Sequence, residues 1–134
     1  MTPFNIKIIT PEKTFFQGTT TQIIAKTTTG NVGILHGHVP YVANLVSSPF
    51  MIEVDGKLKE AAISGGFIKA SADEVIVVTN AVEWADEIDV ARAQRSKQNA
   101  EERMKRHESQ KEFDRAEKKL KRALNRLTVA GDRK

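Results

Sequence analysis

The sequence predicts a two-part α+β chain: an N-terminal antiparallel β-sandwich over residues 1–86, then a C-terminal antiparallel two-helix hairpin over residues 87–134. Three observations carry this. All four prolines and seven of the eight glycines precede Ile88, so turn punctuation stops there and a long helix becomes possible. Short runs rich in β-branched residues recur between turn signals before that point, the pattern of a sandwich or barrel. Charge changes sign at the same place. Residues 1–87 carry 6 Lys/Arg against 9 Asp/Glu, while residues 88–134 carry 15 against 8. A weakly acidic body therefore leads into a basic tail.

Phe4-Asn5-Ile6-Lys7-Ile8 alternates apolar and polar, the period of a half-buried strand, and Pro11 ends it. Thr19 to Thr29 is β-branched around Ile23-Ile24 and closes at Gly30. Val32 to Leu35 is a short apolar run between glycines. Tyr41–Val46 and Phe50–Val54 follow, divided by Ser47-Ser48-Pro49. Asp55-Gly56 is the strongest hairpin signal in the chain, with Leu58–Ile63 as its return strand. Gly65-Gly66 turns into Phe67–Ala70. Ala72-Asp73 turns into Glu74–Thr79, the clearest strand of all.

The tail reads as two helices. Ala91 to Arg106 is made of strong helix formers, with a thin apolar stripe of Val90, Ala93, Ala100 and Met104. His107-Glu108-Ser109 interrupts it. Ser109-Gln110-Lys111-Glu112 has the form of a capping box, so a second helix is expected from about Gln110. Its apolar stripe is Phe113, Ala116, Leu120, Ala123, Leu124 and Leu127. Arg115, Lys119, Arg122 and Arg126 fall within a band roughly 60° wide on another side. The thin stripe of the first helix makes the hairpin marginal without further packing or a ligand.

Composition excludes several classes. There is no apolar run near 18 residues that would span a membrane as a helix. The opening Met1-Thr2-Pro3-Phe4-Asn5 has no signal-peptide pattern. The chain has no cysteine, hence no disulfide frame or thiolate site, which fits a reducing compartment. Phosphate-loop, dinucleotide and nucleophile-elbow motifs are absent. His36-x-His38 reads as a loop pair with one polar tip packed on the sheet rather than as metal ligands. Asp86, Glu87 and Asp89 form an acidic knot favouring the helix N-terminus. No catalytic set and no metal site is expected. The basic tail alone also permits a nucleic-acid binder, though its one aromatic, Phe113, lies on the apolar stripe.

Three segments carry a family resemblance. Gly30 to Pro40 has the form G-x-x-G-I-L-x-x-H-x-P. Ser64-Gly65-Gly66-Phe67 follows. Ile88-Asp89-Val90-Ala91-Arg92-Ala93 gives I-D-x-x-R-A at the start of the tail. In this order and spacing, with an opening similar to x-I-x-T-P-E-x-x-F-F, the chain resembles the ε subunits of bacterial F-type ATP synthases over essentially its whole length.

The resemblance implies a sandwich of about ten strands that docks on the γ subunit and the ring of c subunits. It implies a non-catalytic, peripheral role at the cytoplasmic face of the bacterial plasma membrane. It also implies helices that switch between folded-down and extended forms, the extended form reaching the α/β catalytic head and opposing ATP hydrolysis. ATP, with or without Mg, would be a regulatory ligand of the folded hairpin. The matching positions are Ile88, Asp89, Arg92, Arg122 and Arg126, with Glu83 in the preceding turn. Asn99 stands where some ATP-binding relatives have arginine. Partner contacts would run through Asn31, His38, Arg115, Lys119, Arg122 and Arg126, with Asn31 neutral where some members carry an acid. Other readings of the ATP positions remain open: Asp89 as a simple N-cap, Arg92 as its ion pair, and Arg122 and Arg126 as a solvated face.

Overall fold

The computed structural model describes residues 2–131. The chain divides between Trp84 and Ala85 into two compact units, which are taken in turn.

The first unit holds ten strands: β1 (Phe4–Ile9), β2 (Thr14–Thr20), β3 (Ile23–Thr27), β4 (Gly30–Ile34), β5 (Tyr41–Leu45), β6 (Ser48–Val54), β7 (Lys57–Ile63), β8 (Gly66–Ala70), β9 (Glu74–Val78) and β10 (Val82–Trp84). They run in the order β10-β7-β6-β3-β5-β8-β9-β1-β2, with β4 against β3. The path narrows between β3 and β5 to a single pair, Thr27 with Leu45. On the same strand Ile23 and Ile24 pair with Ile52 and Met51 of β6. Strand β3 is therefore a corner that serves both layers of a sandwich. Every pairing is antiparallel except β1 with β9, which is parallel.

Alternation fills the core. Ile6 and Ile8 of β1, Ile23 of β3, Phe50 and Ile52 of β6, Ile68 of β8 and Val75 and Val77 of β9 are almost fully buried. Burying such side chains is worth roughly 1.5–3 kcal/mol each against leaving them exposed. Buried hydroxyls are satisfied at strand ends: Thr20 donates to the Glu53 carbonyl at 2.7 Å, and Thr27 donates to that of Gly30 at 2.9 Å.

Two turns need special backbone. Asp55 (φ 52°) and Gly56 (φ 83°) form the left-handed pair that a two-residue hairpin requires. The Glu53 carboxylate clasps this turn. It accepts from the Gly56 amide at 2.5 Å and from the Thr21 amide and hydroxyl at 3.0 and 2.7 Å. These bonds, Gly56 first, hold the Glu53 carboxyl below its usual range. Gly66 is required for a different reason. Its φ is 109°, and a Cβ there would lie 2.0 Å from the Val78 carbonyl oxygen.

Strands β2 and β10 depart from the sequence expectation. Thr19–Thr29 was expected as one strand, but Thr20 ends β2 and β3 begins at Ile23. β2 shows no clean alternation, carrying Phe15-Phe16 and Gly18 among threonines, and β10 has only three residues. Both are edge strands, β2 paired with the adjacent β1 and β10 with β7. Trp84 of β10 packs on Phe15 and Phe16 of β2, with ring centroids 4.9 and 5.9 Å apart, and Lys59 of β7 places Nζ 4.1 Å from the indole centroid.

The second unit begins with a 3-10 turn, η1 (Ala85–Glu87), followed by α1 (Val90–Arg106) and α2 (Gln110–Gly131). The three residues between the helices, His107 to Ser109, force an antiparallel hairpin. Ala93 and Ala100 of α1 and Ala116 and Ala123 of α2 are buried to within 2% of full burial. Ala100 lies six residues before the end of α1 and Ala116 six after the start of α2; Ala93 and Ala123 are each thirteen away. Ala100 thus stands level with Ala116, and Ala93 with Ala123. Small side chains at both levels allow a close helix approach.

Two members of the expected stripes face solvent instead: Val90 is 48% exposed and Leu124 is 42% exposed. Asn125 is only 9% exposed, and Val129 is fully buried. At about 100° per residue these two lie on the far side of α2 from its alanines. The last half of α2 therefore has a second covered side, and η1 packs against α2. Helical periodicity around one stripe does not reveal it. The expected capping box forms by half. Ser109 Oγ accepts from the Glu112 amide at 3.1 Å, but the Glu112 carboxylate turns to Arg115 at 3.4 Å.

Candidate functional site

Asp89 caps α1. Its backbone is extended (φ −81°, ψ 98°) and its Oδ1 accepts from the Arg92 amide at 3.0 Å. That bond goes to the backbone, and the alternative reading of Arg92 as an ion pair with Asp89 finds no such pair among the described residues. The Arg92 guanidinium is exposed and has no carboxylate partner among the described residues. Ile88, half-buried, joins η1 to α1 and donates its N–H to the Ala85 carbonyl at 3.5 Å.

Helix geometry decides which residues gather. Arg92 lies 14 residues before the end of α1, while Arg122 and Arg126 lie 12 and 16 residues after the start of α2. At ~1.5 Å per residue Arg92 is about 21 Å from the turn, between Arg122 at about 18 Å and Arg126 at about 24 Å. Arg92 directly precedes the interface residue Ala93, and Arg122 directly precedes Ala123. In an antiparallel pair, residues preceding the two facing positions project to the same side. Asp89 and Arg126, each about 40–60° off the interface in the same sense, join them.

The same construction puts Arg115 and Lys119 on that side of α2, and Asn99 and Arg103 on that side of α1. One side of the hairpin thus carries a row of cations with Asp89 at its open end and Glu112, bridged to Arg115 at 3.4 Å, near the turn. Arg122 and Lys119 are exposed and Arg126 is half-buried. The arrangement suits a polyanion: several guanidinium forks converge on phosphate oxygens, and the α1 N-terminus adds its dipole. Glu83, half-buried in β10, belongs to the first unit.

The two sandwich positions are also placed. Asn31 is exposed on β4 opposite Lys26 of β3. His38 is half-buried in the loop between β4 and β5, with Nδ1 2.6 Å from the Val39 carbonyl and its ring edge-on to Tyr41 at 5.7 Å. This loop also meets the β8–β9 turn, where the Gly37 amide donates to the Ala72 carbonyl at 3.2 Å. Leu35, Val39 and Val42 are exposed at 44%, 72% and 68%. Leu35 and Val39 fall within the Gly30 to Pro40 motif, but the motif does not reveal their exposure, which the pairing of β4, β5 and β8 decides. Among the described residues no group of His, Asp and Glu is arranged to hold a metal, and no helix is long and apolar enough to cross a membrane.

Comparison with known proteins matches two family models end to end. Residues 3–85 match the beta-sandwich domain of the ATP synthase delta/epsilon chain, and residues 86–131 match its long alpha-helix domain. The ATP synthase epsilon chain of Ruminococcus albus is 55% identical over 131 residues, covering 97% of this chain and 98% of the relative. That of Caldanaerobacter subterraneus is 43% identical, covering 95% and 93%. Among solved structures, a chain of the Euglena gracilis mitochondrial ATP synthase, solved as OSCP/F1/c-ring, superposes with a TM-score of 0.80 at 21% identity, over 94% of this chain and 79% of that one. At that identity it speaks for the fold alone. None of these relatives lends support to the nucleic-acid reading.

Proposed function

The chain belongs to the delta/epsilon chain family of ATP synthase, and from that premise we propose that it is a regulatory subunit of the central stalk, with no catalytic group of its own. The sandwich joins the γ subunit to the ring of c subunits, with Asn31 and His38 among its contacts. The complex places it peripherally at the cytoplasmic face of the bacterial membrane. The hairpin restrains ATP hydrolysis when it extends towards the α/β catalytic head, offering Arg115, Lys119, Arg122 and Arg126 to an acidic surface. Folded down, it takes ATP as a regulatory ligand. Arg92, Arg122 and Arg126 hold the phosphates, Asp89 accepts from the adenine amino group, and Ile88 completes the set.

What supports this reading is helix geometry, which puts Asp89, Arg92, Arg122 and Arg126 on one side of the hairpin towards its open end. ATP that bridges both helices binds only the closed form and stabilises it by about 2.7 kcal/mol at a hundredfold excess over Kd. By reciprocity, partners of the extended form weaken ATP binding.

The test has two arms. Isothermal titration of the whole chain should give saturable binding of ATP that Arg92→Ala weakens. In the reconstituted enzyme, replacing Arg115, Lys119, Arg122 and Arg126 together by Ala should raise ATP hydrolysis, most at low salt. Absent binding heat removes the ligand, and unchanged hydrolysis removes the contact with the head.

A further inference from the structure

His107 is one of two non-glycine residues with positive φ among the described residues. The other, Asp55, sits in a hairpin turn that demands it. His107 (φ 43°, ψ 52°) is where α1 stops: its N–H donates to the Arg103 carbonyl at 3.1 Å and the chain reverses. Histidine enters this region more readily than most residues, yet it carries a steric cost there that glycine does not.

The compensation comes from α2. The His107 imidazole stacks on the Phe113 ring, with centroids 4.7 Å apart and 30° between the planes. Ser109 is the N-cap of α2, so Phe113 occupies the fourth helical position, where an apolar staple from just before the cap usually lands. The residue that normally supplies it is Glu108, an acid turned towards Arg106 at 3.8 Å. His107, one residue earlier, supplies it instead. A single side chain therefore ends one helix and staples the start of the next.

In a continuous helix this contact does not exist. Six residues separate the two positions, about 9 Å along the axis and 240° around it, and the rings cannot meet. The Ser109 hydroxyl would likewise lose its capping role.

We propose that the His107–Phe113 stack is the latch of the hairpin, a contact made only in the folded-down form that sets how readily the helices part. Its regulatory meaning rests on the opening and closing argued above; the latch itself does not.

The test is a double-mutant cycle in the whole chain. His107→Asn keeps a residue that tolerates the left-handed backbone but removes the ring. Phe113→Leu keeps an apolar helix former but removes the aromatic face. Amide hydrogen exchange is followed at Ala93, Ala100, Ala116 and Ala123, with strand amides as the internal control. Each variant should speed exchange in the helices roughly 2- to 10-fold, the range expected for one aromatic pair. The pair together should do no more than either alone, while strand amides stay unchanged. Additive effects, or helix exchange at the native rate in both single variants, would overturn the latch. ATP hydrolysis by the reconstituted enzyme is read separately. A coupled cycle with unchanged hydrolysis keeps the latch and rejects its regulatory use.

Discussion

The Asp89 carboxylate accepts a hydrogen bond from the Arg92 backbone amide at 3.0 Å, while the Arg92 guanidinium has no carboxylate partner among the described residues. The cap orders the first turn of α1 and directs the cation outward at the open end of the hairpin. Capping and ligand binding are thus separable at position 89. Asp89→Ser retains a good cap, so helix stability should stay within about 0.5 kcal/mol while ATP binding weakens. Asp89→Ala should lose both, with ~1 kcal/mol of stability gone. Thermal melts and ATP titrations on the two variants check this; equal ATP affinity in wild type and Asp89→Ser would remove the carboxylate from the site.

Arg92 and Arg122 are exposed, so neither supports the fold. Arg92→Ala and Arg122→Ala should each leave the melting temperature within a degree or two and weaken ATP binding about tenfold or more, the worth of a charge-assisted hydrogen bond. Arg→Lys at either position should recover only part, since the ammonium lacks the guanidinium's fork. Calorimetric titration reads both effects.

Gly66 and Gly33 form a matched pair of tests. A methyl at Gly66 meets the Val78 carbonyl oxygen at 2.0 Å, whereas nothing lies within 4 Å of one at Gly33. Gly66→Ala should cost more than ~3 kcal/mol or abolish folding, and Gly33→Ala should stay within about 0.5 kcal/mol. Urea melts decide; similar midpoints for the two would mean that the turn before β8 shifts freely.

Acid sensitivity should trace in part to Glu53. Its folded pKa is lowered from 4.5 by the Gly56 and Thr21 bonds. The stability it contributes is therefore present above about pH 4.5 and lost as pH falls through the lower folded value. Glu53→Gln should flatten the decline of the melting temperature below pH 4.5 and be less stable than wild type at neutral pH. A decline of the same slope in both proteins would assign the acid sensitivity elsewhere.

A chain ending at Asp86 should fold by itself, because the sixteen apolar residues of the sandwich core all precede Trp84. It should melt cooperatively with a β-type circular dichroism spectrum. An aggregated or unfolded product would make the hairpin part of the sandwich's stability.

What the sequence determined alone is what local chemistry decides. The loss of proline and glycine at Ile88, the Asp55-Gly56 turn, the Ser109 cap and the alternation in β1 and β9 are each set by residues a few positions apart. The cationic side of the hairpin was legible too, since Arg115, Lys119, Arg122 and Arg126 share a helix face by periodicity alone. The tertiary structure decided the rest. β10 exists through a partner far along the chain, Trp84 packs on Phe15 and Phe16 of β2, β1 pairs in parallel with β9, and Gly66 is fixed by a carbonyl on another strand. Asn125 and Val129 are buried because α2 is covered on a second side, which no single-helix period encodes. Asp89 and Arg92 come level with Arg122 and Arg126 only because three residues reverse the chain at His107, where a stack between residues six apart holds a backbone conformation that local propensity opposes.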